Sequence, residues 1–88
     1  MPSYRIELKP AARRGLSKLP QVVQKRIARK IEVLARNPRP PGVEKLMGLS
    51  DLYRLRVGDY RILYWVYHAE QVIRVYRIQH RSEVYRAF

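Results

Sequence analysis

Arg54, Arg56 and Arg61 stand among aromatic and aliphatic residues in one short stretch, LYRLRVGDYRILYWVY, from Leu52 to Tyr67. A guanidinium is planar, permanently charged and donates hydrogen bonds in pairs, so several together can surround a phosphate and brace the charge that builds on it during phosphoryl transfer. Further on, His80, Arg81 and Tyr85 follow closely. They bring an imidazole suited to acid–base work, another guanidinium, and a ring able to stack on an unpaired base. Trp65 and Tyr67 could stack in the same way. The competing reading is that the exposed face of any antiparallel sheet needs polar residues and arginine is a common filler. Clustering and net charge together favour a phosphate site.

The net charge is +12, from nineteen Lys and Arg against seven Asp and Glu. Such an excess repels itself in the compact state and suits a protein that meets polyanions, either nucleic acid or an acidic protein partner. No cysteine is present, which removes disulfides, a thiol nucleophile and cysteine-based metal sites. With His68 and His80 as the two imidazoles, no metal site and no cofactor is expected. The N-terminal MPSYRIELKP has no signal-peptide core, and the apolar run Ile62 to Tyr67 is too short to cross a bilayer. The expectation is a soluble cytoplasmic protein with no membrane partner.

The 88 residues suit one domain, 1–88, built on one core. Ser3 to Lys9 alternates as a half-buried strand closed by Pro10. Ala12, Leu16 and Leu19 suggest a short helix ending near Leu19-Pro20, weakened by Gly15. Val23, Ile27, Ile31 and Leu34 form the apolar stripe of a second helix over 21–36, which Asn37-Pro38 stops. Lys25, Arg26, Arg29 and Lys30 lie off that stripe and read as a solvated helix face. After the rigid loop Arg39-Pro40-Pro41-Gly42, alternation takes over in 52–57, 60–67 and 72–79, a three-stranded meander. RSEVYRAF, from Arg81, reads as a short helical or extended tail. The fold class is therefore α+β: a small antiparallel sheet with two helices on one face, in the order β-α-α-β-β-β plus a C-terminal tail.

The period of two assigns faces. Tyr53, Leu55 and Val57 belong to the helix-covered side and Arg54 and Arg56 to the other. Ile62, Tyr64 and Val66 make the better core set, which puts Arg61 with Leu63, Trp65 and Tyr67 on the uncovered face. The final strand carries Arg74 on one face and Arg77 on the other.

The order of elements, with KLMGLSDLYRLRVGDYRILYWV and HRSEVY, resembles the RelE branch of the RelE/ParE toxin superfamily over nearly the whole chain. The matching residues are Lys45-Leu46 through Gly48, Leu52 to Arg56, Tyr60-Arg61 and Arg81 to Tyr85. The resemblance implies a toxin that cleaves messenger RNA in the ribosomal A site without a metal. In that reaction the 2′-hydroxyl attacks the adjacent phosphate, leaving a 2′,3′-cyclic phosphate and a 5′-hydroxyl. A small acidic antitoxin is implied as the second partner. By position, Arg61 matches the arginine that braces the scissile phosphate, and Tyr85 the tail tyrosine that stacks on the base or helps move a proton. Arg54 and Arg56 stand where well-studied members have lysines, and a guanidinium is a poor proton acceptor near neutrality. His80 is then the candidate to move the proton, or a residue that merely caps the end of its strand. A second catalytic arginine of the family has its counterpart in Arg81 or has none. Lys45, Arg54, Arg56 and Arg77 are expected to hold RNA. The rivals are a gyrase-poisoning, ParE-like toxin and a member that binds RNA or antitoxin without catalysis.

Overall fold

A computed structural model describes residues 3–46 and 51–84, with side chains through Ser82. Strand β1 (Arg5–Leu8) leads into helix α1 (Pro10–Ser17), which Pro10 opens at a position where its missing N–H costs nothing. Helix α2 (Gln21–Arg36) spans the residues that the apolar stripe predicts. Strands β2 (Val43–Lys45), β3 (Leu52–Val57), β4 (Tyr60–Tyr67) and β5 (Val72–His80) complete the sheet, and a short helix, α3 (Arg81–Val84), follows directly.

The sheet runs β1-β5-β4-β3-β2. The three strands of the expected meander are antiparallel, as is β2 to β3, whereas β1, expected in an antiparallel sheet, lies parallel to β5, with Arg5 beside Val72 and Leu8 beside Val75. The sheet is therefore mixed, because the two helices and the meander act as one long crossover between its first and last strands. β2 is also additional to the sequence expectation. Its three residues carry a single apolar side chain, too few to alternate visibly, and it forms because Val43 to Lys45 can pair with Leu55 to Tyr53.

Both helices lie on one face. Ala12, Ile27, Ile31 and Leu34 pack onto Tyr53, Leu55, Val57, Ile62, Tyr64, Val66, Ile73, Val75 and Ile78. The rings of Tyr53 and Tyr64 stack across β3 and β4 with centroids 5.7 Å apart. Their hydroxyls leave the core by donating to Asp51 Oδ1 at 3.2 Å and to the Pro38 carbonyl at 2.7 Å, and burial raises both phenol pKa values.

Two local departures shape the far end of β5. A bulge where β4 passes from Leu63 to Tyr64 sets Arg74 opposite Trp65 and Arg77 opposite Leu63. Both arginines thus come to the side that the helices leave open, not to opposite faces, because the extra residue breaks the alternation. Gly15, expected only to weaken α1, is where that helix touches the sheet: a Cβ there would sit 2.5 Å from the Ile78 carbonyl oxygen. Glycine is present for close approach, at some cost in helix propensity.

Candidate functional site

The turn between β3 and β4 is tight, with Gly58 at φ +60°. Beside it, pairing sets Arg56 directly opposite Arg61. The end of β5 reaches the same corner, where the Arg81 backbone N–H donates to the Asp59 carbonyl at 2.7 Å. A cleft of about 630 Å³ results, lined by Arg56, Arg61 and Arg81 together with Gly58, Asp59, Tyr60 and Ser82. Three guanidinium groups, from β3, β4 and the start of α3, meet there.

Ion pairing separates the arginines into two sets. Glu7 accepts from Arg5 and Arg74, each at 2.9 Å, and these bonds draw its pKa below the usual carboxylate range. Arg74 also lies over the Tyr67 ring, 5.0 Å from its centroid. Arg54, on the open face as expected, pairs at 2.8 Å with Glu44 across from it on β2. By contrast Arg56, Arg61 and Arg81 have no carboxylate partner among the described residues. The Nε of Arg61 is buried without a hydrogen-bond partner among them, so packing holds this side chain and its charge remains available to an anion.

The other expected site residues are distributed as follows. His80 turns toward the helix side, its ring edge-on to Tyr60 with centroids 5.1 Å apart. Its Nδ1 accepts from the Ser82 backbone N–H at 3.2 Å and lies 2.9 Å from Ser82 Oγ. Because a backbone N–H can only donate, the ring proton sits on Nε2, and His80 caps the first turn of α3. Arg77 is exposed, and the stretch Arg77 to His80, where β5 runs as an edge beyond the end of β1, borders a second cleft with Arg14 and Lys18 at the end of α1. Lys45 is opposite Tyr53 on the edge strand, outside the arginine cleft. Trp65 packs near Tyr76, with centroids 6.5 Å apart, and neither it nor Tyr67 lines the cleft. Tyr85 lies outside the described residues. Asp59 is the cleft residue that sequence reasoning passed over; Gly58-Asp59 reads as an ordinary turn, and only the fold makes it part of the cleft lining, with its backbone carbonyl bonded to the Arg81 N–H.

Residues 6–85 match the family described as ParE toxin of type II toxin–antitoxin system, parDE. The chain belongs to the RelE/ParE toxin superfamily. The toxin is 30% identical to toxin RelG of Mycobacterium tuberculosis over 94% of its own length and 97% of that protein's. Its fold superposes on the archaeal RelE of a RelE–RelB complex from Pyrococcus horikoshii with a TM-score of 0.82 at 32% identity, covering 92% of this chain and 97% of the other. The isolated Escherichia coli RelE toxin superposes with a TM-score of 0.78 at 27% identity, over 96% and 93% of the two chains.

Proposed function

We propose that this RelE-like toxin is a ribosome-dependent endoribonuclease that cuts messenger RNA and is restrained by a small acidic antitoxin. The observation that carries the proposal is the cleft at the β3–β4 turn, lined by Arg56, Arg61 and Arg81, none of which is ion-paired to a carboxylate among the described residues. Such a cleft suits a phosphodiester whose 2′-hydroxyl attacks its own phosphorus, since charge on the phosphoryl oxygens rises as the P–O5′ bond breaks. Arg61 braces those oxygens, with Arg56 and Arg81 on either side. Asp59 is the acidic residue among those lining the cleft, and we assign acceptance of the 2′-hydroxyl proton to it, because arginine does not exchange protons and Nδ1 of His80 is committed to its cap. His80 then acts by holding α3 and Arg81 in place. Solvent, or a group of the ribosome, returns a proton to the departing 5′-oxygen.

The related structures with RelB supply the precedent for a protein partner, and the +12 charge suits one of opposite sign. The test is to express wild type and Arg61→Ala in cells and map messenger RNA 5′ ends on a reporter and on a copy without a start codon. Cuts confined to translated message and to wild type are expected. Growth arrest with intact message would overturn the nuclease reading and point to gyrase.

A further inference from the structure

Lys25, Arg26, Arg29 and Lys30 on α2 are exposed, on the surface beside and behind the buried Ile27, Ile31 and Leu34. With Val22 and Val33, 73% and 46% exposed, these cations line an open groove of about 510 Å³. None of the four pairs with a carboxylate among the described residues. Read from sequence, this is a solvated helix face. Its position in the fold gives it a more specific use.

Arg26 reaches from α2 to the turn that builds the arginine cleft: a Cβ on Gly58 would lie 3.4 Å from Arg26 Nη1. Gly58 itself lines that cleft. Arg26 therefore links the cleft of Arg56, Arg61 and Arg81, at Gly58, to Lys25, Arg29 and Lys30 on α2. The cations recur as pairs every four residues, roughly 6 Å apart along the axis at the helical rise. That spacing is comparable to the separation of neighbouring phosphates on a nucleic-acid strand. A repeating charge that continues a phosphate site fits a polyphosphate chain, whose own charge repeats at a matching interval.

We infer that the outer face of α2 binds RNA backbone as a continuation of the arginine cleft, so that the toxin grips RNA well beyond the phosphate it cuts. The inference rests on reading the cleft as an RNA phosphate site, but it does not require cleavage. The probes are two 2′-O-methyl RNAs, which lack the attacking hydroxyl: a dinucleotide that fills the cleft and an oligonucleotide of roughly 16 nucleotides. In Lys25→Gln/Arg29→Gln/Lys30→Gln, the long RNA should bind about tenfold or more weakly at low salt. Its log–log salt dependence should become shallower by about 2, roughly 0.7 for each cation removed. The dinucleotide should bind as it does to wild type. Unchanged affinity for the long RNA would overturn the inference, as would equal loss for both probes. It would also fail if RNA binding persisted while an acidic antitoxin no longer bound. If the wild type binds both probes but cuts no translated message, the nuclease reading falls and the α2 surface stands.

Discussion

Replacing Gly15 by Ala should destabilise the toxin, although helix propensity alone argues for the opposite sign. In an isolated helix the change would be worth about 1 kcal/mol in favour of Ala. Here the new Cβ meets the Ile78 carbonyl oxygen at 2.5 Å and the carbonyl carbon at 3.6 Å. Both belong to backbone inside β5, which is hydrogen-bonded within the sheet, so no flexible side chain can give way. Relief requires α1 to lift from the sheet, separating Ala12 from the core it enters with 0% exposure. Overpacking of this kind costs about 1–3 kcal/mol, and contact with backbone places it at the upper end. After the propensity gain, a net loss of about 1–2 kcal/mol remains, a fall in Tm of roughly 5–15 °C for a domain of this size. Urea and thermal unfolding of the two proteins measure it. A variant as stable as wild type, or more stable, would refute the packing argument and return Gly15 to the role of a helix weakener.

Tyr64→Phe strands the Pro38 carbonyl and should lower stability by about 1–2 kcal/mol, read from the urea midpoint at neutral pH. The same residue gives an alkaline signature. Burial raises its pKa in the folded state, so its contribution is complete below about pH 10, the unfolded value, and is lost as pH rises beyond it. Midpoints measured across that range should fall less steeply in Tyr64→Phe. Arg61→Ala should slow single-turnover cleavage by about 10²–10³, as expected for loss of a donor to developing charge. Arg54→Ala, whose arginine is already held by Glu44, should slow it far less, and equal effects would contradict the sorting by ion pairs. Asp59→Asn, which cannot take up the proton, should slow single-turnover cleavage by about 10²–10⁴, whereas His80→Asn, which keeps an acceptor for the Ser82 N–H, should cleave nearly as wild type. Rates that fall with His80→Asn but not with Asp59→Asn would transfer the proton to histidine.

The elements with long regular patterns were legible from sequence. α2, β3 and β4 fall at the expected residues because each repeats its apolar period often enough to leave one reading. Where pattern gives way to pairing, the sequence says less. β2 is invisible without its partner, so Glu44 could not be seen as the residue that occupies Arg54. The β5 bulge inverts parity partway along the strand, which misassigned the faces of Arg74 and Arg77. The hairpin alone predicts that Arg54, Arg56 and Arg61 converge near the turn; Arg56 and Arg61 do, whereas Arg54 is held by Glu44 and does not line the cleft. The closing of the cleft by Arg81 and Asp59 depends on a hydrogen bond between distant segments that no local signal announces, and Tyr85 remains a sequence-based expectation.

The parallel pairing of β1 with β5 gives the toxin an order of assembly. The first strand has no neighbour in the sheet until the last one has been synthesised, and α1, which packs on Ile78, has no floor until then. Arg81 joins Asp59 only at that same point. Non-local contacts of this kind form late, after their loop-closure cost has been met. A nascent chain therefore displays basic helices and a meander but no completed cleft. The nuclease proposed here would be harmless to the ribosome that is making it, and would become dangerous only once its final strand is free to pair.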